Sequence, residues 1–592
     1  WTNIVGLQLH VWNTLILIIL CAFYVIYHLW KNRNLINRNS FLNKLYTIKI
    51  NKWVILGYGF ALLGIIFSRF WAIRSLEAPL WGDSVQHSVM TQLILDKGGL
   101  FANWLPYAPF KSLTVQYGFS ANSAVFSWLT GFTSLYSTLI VGQIANIFSI
   151  ISIFPLAYKL SGKNPWAGIT SMLVAGLLMP IPAFYVNWGR FAQLAGQVVL
   201  PIAIFLIWNF IDEFENKSWQ KISLLGLVIS GMCLNYYRMA FYFATFVLSI
   251  LLFTFSSIKK NKLMHMKILV IKIVSILILS VIIFIPWGIK VAGSSLAQSV
   301  ESGMTTSIPL QTVIDDYQTW KYWSEFIPTY LLILFASAGF LAIFIKDWKL
   351  LPVVIWTLLL SFYKATQIFN FPGANMMQSF AVLIASYIPI SLVVAWLFSR
   401  ILTKIPDSKW KQAFVFSIIT LGVLFGTNQT RKIVNEPFFG IIKHPDMTAM
   451  KWIDENTPKE SKFLIEGFRI YDGKSIVGSD GGWYIPLLAN RENTIPPQYA
   501  LLNEEEIEEG YSQKAVELVA FLENESLSSQ LALDKLCDNG ITNVYIGQDH
   551  GDVGEGENQL FDQNELKSPY YDLLYAHDRV KIYKINQDYC DP

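Results

Sequence analysis

The chain has 592 residues, 53% of them hydrophobic and only 15% charged, against roughly 25% charge in an ordinary soluble domain. That balance excludes a soluble globular protein, and repeated apolar runs of the roughly 20 residues needed to cross a bilayer mark a polytopic membrane protein. The net charge of +4 hides two bodies: from Gly440 onward 13 Lys/Arg face 28 Asp/Glu, while the part before carries 32 against 13.

Twelve membrane spans are predicted, at about 11–30, 53–72, 133–158, 165–183, 193–211, 221–236, 240–256, 267–288, 326–345, 350–363, 376–398 and 412–427. The first run is long, has no small-residue cleavage site and reads as a retained span. Alternate loops hold 20 Lys/Arg in one set and 8 in the other, although the first set is shorter. Basic residues gather on the cytoplasmic side. The N-terminus, the loop 73–132 and the C-terminal body are therefore expected outside the cell membrane. The division reads as a membrane domain over 1–435 and a soluble outer α/β domain over 436–592.

Loop 73–132 is apolar and rich in Trp and Tyr, which suits short helices lying in the headgroup zone. It carries Asp83 and His87 four residues apart, on one face if helical. A carboxylate there can bind a metal or take a proton from an attacking hydroxyl, with His87 orienting it. The plainer reading makes Asp83 a helix N-cap, and both stay open. Tyr117 lies in the same loop. Arg190 and Arg238 fall at outer ends of spans inside polar-aromatic clusters, where a guanidinium can clamp a lipid phosphate or simply snorkel. Lys290 and Lys364 are weaker candidates of that kind. Loop 289–325 holds the acidic pair Asp315–Asp316, a weak site for Mg or Mn.

The C-terminal body alternates helix and strand patterns: helices over 445–456, 512–524 and 528–539, and strands over 462–466, 543–546 and 580–585. The acidic run 504–509 reads as a charged helix start. Gly478 to Pro486, with Asp480 and Trp483, is followed by Arg491; this Gly-rich aromatic stretch either lines a sugar site or packs as a turn. Cys21 and Cys233 sit in apolar runs. Cys537 and Cys590 either pair in an oxidising compartment or stay free. No Walker loop, dinucleotide fingerprint or serine-nucleophile motif occurs, and no nucleic-acid partner is expected.

The Asp83 loop, Tyr117-Gly-Phe leading to Leu129-Thr-Gly131, Trp188-Gly-Arg-Phe-Ala-Gln-Leu-Ala-Gly196, Tyr237-Arg238, Trp452 to Pro458 and Ser479 to Trp483 together resemble the GT-C superfamily. These are membrane glycosyltransferases that use polyprenyl-phosphate-linked sugars, among them protein mannosyltransferases, arabinosyltransferases and oligosaccharyltransferases. The resemblance implies a polytopic helical fold with an outer C-terminal domain, and transfer of sugar from a polyprenyl-phosphate donor to a glycan or protein acceptor, with inversion at the sugar carbon. It implies Asp83 as base or ligand of a divalent cation, Arg190 and Arg238 as holders of the donor phosphate, and membrane lipids and further subunits as partners. Related sequences often place a His after the Tyr-Gly-Phe stretch, where Ser120-Ala-Asn122 stands here, and a second acidic residue, where Ser84 follows Asp83. A non-catalytic scaffold and a lipid or solute transporter remain as alternative readings.

Overall fold

A computed structural model describes residues 11–31, 51–111, 116–212, 219–256, 263–292, 323–363, 377, 379–470, 473, 475–497, 505–554 and 559–590. The membrane part runs α1 (Val11–Lys31), α2 (Lys52–Ala72), α3 (Gly82–Lys97), α4 (Gly118–Thr130), α5 (Ser134–Ile151), α6 (Phe154–Leu160) and α7 (Pro165–Leu173). It continues with α8 (Phe191–Asp212), α9 (Trp219–Asn235), α10 (Met239–Ser256), α11 (Leu263–Val291), α12 (Thr329–Phe344), α13 (Leu351–Ser361), α14 (Tyr387–Thr403) and α15 (Lys409–Thr430). Each expected span overlaps helix, although 133–158, 165–183 and 376–398 are each interrupted by turns. Among the described residues, six helices are long and apolar enough to cross a membrane: Lys52–Ala72, Ser134–Leu160, Phe191–Asp212, Ile268–Ile289, Ser379–Thr403 and Lys409–Thr430; five shorter apolar helices accompany them.

Local chemistry sets several of the helix starts. Asn51, Thr133, Asn164 and Ser408 each accept a backbone N–H from the first turn of α2, α5, α7 and α15, the usual work of a polar N-cap. Small residues set the close contacts between helices, as expected where apolar lipid gives little other drive to associate. A Cβ on Gly64 of α2 would lie 2.6 Å from Val423 of α15, and one on Gly226 of α9 would lie 2.8 Å from Leu279 of α11.

The expected span 165–183 departs from a regular helix. It passes into a π-turn at Val174–Leu178 and then leaves helical geometry. The buried Arg69 explains what the turn offers: Nη2 donates to Gly176 O (2.7 Å) and Nε to Asn146 Oδ1 (2.7 Å). Asn146 in turn donates from Nδ2 to Pro182 O (2.5 Å). One guanidinium thus ties α2, α5 and the π-turn together just before the stretch that presents Arg190.

The C-terminal region holds a five-stranded sheet in the order β4-β1-β5-β7-β6. Its members are β1 (Lys462–Leu464), β4 (Glu492–Asn493), β5 (Asn543–Ile546), β6 (Tyr571–His577) and β7 (Val580–Ile585). β1 runs parallel to β4 and β5, while β7 is antiparallel to β5 and β6. A separate hairpin joins β2 (Gly467–Ile470) to β3 (Ser475–Gly478). Helices α16 (His444–Asn456), α17 (Tyr511–Leu522) and α18 (Gln530–Asp538) accompany the sheet. Cys537 and Cys590 form a disulfide that fastens α18 to the end of the chain.

The acidic run before α17 is not helical where it is described. Glu506 makes a β-bridge with Phe110 of the outer loop, flanked by Lys111 N to Glu505 O and Ile507 N to Pro109 O, both 2.7 Å. The buried core of the sheet region also takes in Ala78, Val85 and Leu135. The expected outer loop is therefore built into the α/β region as well as the helix bundle.

Candidate functional site

The expected interfacial helices exist as α3 and α4. Asp83 lies in the first turn of α3, and the N-cap position belongs to Trp81, not to Asp83. Trp81 is held by its backbone N–H on Phe439 O (2.9 Å) and by ring contacts with Phe438 and Phe439. Asp83 is thus not the N-cap residue, and a carboxylate in a first turn is favoured by the helix dipole.

Arg190 reaches Asp83 from across the chain, with Nε 3.6 Å from Oδ2; the two side chains are 28% and 20% exposed. The approach depends on Gly189, whose φ of +64° suits glycine. A Cβ there would lie 2.1 Å from Ser84 Oγ. Beyond the carboxylate, the guanidinium sits 5.0 Å from the centre of the Phe380 ring, which Trp188 also meets edge-on.

His87 follows Asp83 by one turn. Its ring packs against Phe119 and Phe191, centroids 5.0 and 6.4 Å away, and Nδ1 stands 3.4 Å from Ser120 Oγ. Burial pulls its pKa down to about 4, so it is a neutral imidazole at physiological pH. Tyr117 occupies the N-cap position of α4 and meets Trp287 of α11 edge-on at 5.0 Å.

Arg238 precedes α10. Nη1 donates to Tyr236 Oη (3.1 Å), the guanidinium lies 5.8 Å from the Tyr236 and Tyr237 rings, and Nε has no hydrogen-bond partner. Tyr242 follows Arg238 by four residues, in the first turn of α10. Tyr242 Oη donates to Ala381 O (2.7 Å), and Gln193 Nε2 donates to the same carbonyl (3.1 Å). Arg190 thus stands against Phe380, while Tyr242 and Gln193 share the carbonyl of the adjacent Ala381. Lys290 falls in α11, with its side chain outside the described residues; Lys364, Asp315 and Asp316 also lie outside them.

The three C-terminal candidates for a substrate loop are corrected. Asp480 is fully buried, and its two oxygens accept from Gly482 N and Gly547 N, both 2.9 Å. Burial, with Glu466 and Asp446 nearby, raises its pKa well above the carboxylate range. Trp483 is buried and donates from Nε1 to Pro496 O (2.9 Å). Arg491 donates to Ala489 O, Asp454 O and Thr457 O, and so closes the carbonyl end of α16. These donors and acceptors are spent inside the fold, so the stretch is a core plug and helix stop.

Two further polar residues bear on the site: Asn187, just before the stretch 188–196, and Gln193 within it. Asn187, fully buried, donates from Nδ2 to Ile433 O (2.8 Å) and accepts Asn435 N on Oδ1 (2.9 Å). It therefore clamps the strap that leads from α15 into the α/β region. Gln193 is 2% exposed, and its Oε1 has no partner. Either could have been picked out by the rarity of amides in apolar sequence. The α/β region grips the Asp83 loop elsewhere too, through Tyr484 Oη to Pro79 O (3.3 Å) and His444 Nδ1 to Glu77 Oε1 (3.1 Å).

Among the described residues, no group of three or more His, Cys, Asp or Glu could hold a metal ion. Asp83 is one carboxylate facing a guanidinium, which does not fit a divalent cation that wants several oxygens.

No family model and no curated protein matches the chain. Solved structures do. The Archaeoglobus fulgidus oligosaccharyltransferase tethered with an acceptor peptide containing the NVT sequon matches with TM-score 0.52 and 12% identity, over 92% of this chain and 75% of that one. AglB from the same organism, in complex with an inhibitory peptide and a dolichol-phosphate, matches with TM-score 0.50 and 12% identity, over 90% and 74%. The arabinofuranosyltransferase AftD from Mycobacteria matches with TM-score 0.51 and 14% identity, over 90% of this chain and 40% of that one. At these identities the likeness is one of fold: this chain shares the architecture of these structures over at least 90% of its length.

Proposed function

We propose that the chain is a membrane glycosyltransferase that moves a sugar from a polyprenyl-phosphate donor to an acceptor hydroxyl or amide at the outer face. The observation that carries this reading is the meeting of Asp83 and Arg190 at the helix ends, under the α/β region. A base and a phosphate clamp are what this reaction asks of a protein, because a lipid phosphate is already a good leaving group. The fold neighbours support it, since the AglB structure holds a dolichol-phosphate and an inhibitory peptide.

In the step, the acceptor oxygen or nitrogen bonds to the anomeric carbon from the face opposite the phosphate. The bond from that carbon to the phosphate oxygen breaks, and the lipid phosphate leaves with the electron pair. Asp83 takes the acceptor's proton, and Arg190 and Arg238 neutralise the phosphate. A single displacement inverts the sugar carbon. While no donor is bound, the Arg190 guanidinium stands beside the Asp83 carboxylate. The neutral His87 supports the turn beneath it.

This reading keeps the membrane part over 1–435 and the α/β part over 436–592, with the latter, the N-terminus and the site outside. The basic-residue asymmetry of the loops and the Cys537–Cys590 disulfide favour that orientation. The deciding experiment is Asp83→Asn at the native locus. Mass spectrometry would read the cell-envelope glycans and the lipids that co-purify with the protein. Loss of one glycan product, with a polyprenyl-phosphate sugar still bound to the variant, is expected. An unchanged glycan profile would remove Asp83 from the chemistry.

A further inference from the structure

The bundle contains an acceptor atom that the fold leaves unused. Gln193 lies one turn past Arg190 at the start of α8. Its amide is oriented by the bond from Nε2 to Ala381 O (3.1 Å), a carbonyl that Tyr242 also engages. Turning the amide over would bring two oxygens together, so Oε1 is the end left without a partner. With 2% of the residue exposed, water does not satisfy it either. An unmatched buried acceptor costs about 1–3 kcal/mol. A hydrophobic residue would avoid that cost in an apolar helix.

A second orphan lies nearby in the chain: Arg238 Nε is a donor without a partner, and Arg238 comes four residues before Tyr242, which shares the Ala381 carbonyl with Gln193. Arg190 covers the adjacent Phe380 ring. At Phe380–Ala381 the chain thus gathers the Arg190 guanidinium and one spare amide oxygen, with the spare N–H of Arg238 four residues before the tyrosine that shares the carbonyl. That set has opposite needs: an anion for the arginines and a hydroxyl donor for Gln193. A bare phosphate monoester supplies only the first, and a sugar joined to phosphate supplies both.

We propose that Gln193 is the residue that reads the sugar of the donor, accepting one of its hydroxyls on Oε1 while Arg190 and Arg238 hold the phosphate. This rests on the glycosyltransferase reading and adds to it a means of telling the glycoside from the spent lipid phosphate. The carrier left after transfer lacks the hydroxyl, so it loses the Gln193 contact and keeps only the phosphate contacts. A missing partner for a site built to bind a hydroxyl is discriminated strongly, because the site's own polar atom is again left unpaired.

The test uses the full-length protein purified from its own membranes as wild type, Gln193→Leu and Arg238→Ala, with co-purified lipids quantified by mass spectrometry. Gln193→Met and the thermal midpoints of all variants control for folding. The leucine and methionine variants lose one bond to a carbonyl that Tyr242 still satisfies, so their midpoints should stay close to wild type. The expected result is a ratio of polyprenyl-phosphate glycoside to bare polyprenyl phosphate at least tenfold lower in Gln193→Leu and Gln193→Met, with total polyprenyl phosphate retained. Arg238→Ala should lose both lipids together. An unchanged ratio in both Gln193 variants overturns the assignment of Gln193 while leaving the donor reading in place. Wild-type protein that carries neither lipid overturns the donor reading itself, and the role of Gln193 with it.

Discussion

Replacing Asn187 with alanine removes both ends of one amide clamp. The loss is the Nδ2 bond to Ile433 O at 2.8 Å and the Oδ1 bond from Asn435 N at 2.9 Å. Both partners lie on the strap, where Ile433 is half-buried and Asn435 exposed, so water can replace part of what is lost. Each neutral bond then costs about 1 kcal/mol, near the middle of the usual range, and the pair about 2 kcal/mol. Hydrogen exchange reads this directly: about 2 kcal/mol corresponds to roughly 30-fold faster exchange at Asn435. The strap carries Phe439, whose carbonyl receives Trp81 N–H at 2.9 Å, and Trp81 starts the helix of Asp83. The Trp81 amide should therefore speed up together with that of Asn435. Faster exchange at Asn435 with Trp81 unchanged would refute the coupling between strap and site.

Two further outcomes follow from named geometry. Gly189→Ala should lower the thermal midpoint more than Gly131→Ala. Both have positive φ, costing about 1–2 kcal/mol for a residue with a Cβ, but only at Gly189 would the Cβ meet Ser84 Oγ at 2.1 Å, while Gly131 has open space; equal losses would show that the close approach to α3 is dispensable. For pH, burial raises the pKa of Asp480, Asp446 and Glu466, so the folded α/β region holds protons that the unfolded chain releases near pH 4. Stability from these groups is complete below that pH and lost as pH climbs through the folded values; resistance of this region to proteolysis should be lower at pH 8 than at pH 5.5, and Asp480→Asn should flatten the difference.

The helices were legible because a bilayer enforces length and apolarity, and each expected span overlaps helix. Asp83, Arg190 and Arg238 were legible one at a time, as charges at the ends of apolar runs. That Arg190 would lie beside Asp83 was not, since the pairing depends on a left-handed Gly189 and on Ser84 allowing its approach. Asp480, Trp483 and Arg491 misled for a definable reason. Glycines, an aromatic ring and charged groups compose a ligand pocket and a well-bonded core turn alike, and only the bonding partners distinguish them. Short strands such as β4, and the edge strand β6 with its exposed Leu573 and Leu574, carry too little alternation to be read.

The grip of the α/β region on the loop has a consequence for biosynthesis. Tyr484 and Pro79 are 405 positions apart, and His444 and Glu77 are 367 apart. With synthesis at roughly 5–20 residues per second, the ribosome spends about 20–80 seconds between making the Asp83 loop and making what fastens it. Throughout that interval the loop emerges without its clasp, and contacts of such long sequence separation are slow to find. A nascent chain therefore acquires its finished outer surface last, so a ribosome that stalls before Tyr484 would leave inserted helices whose Asp83 turn is still unfastened at that point.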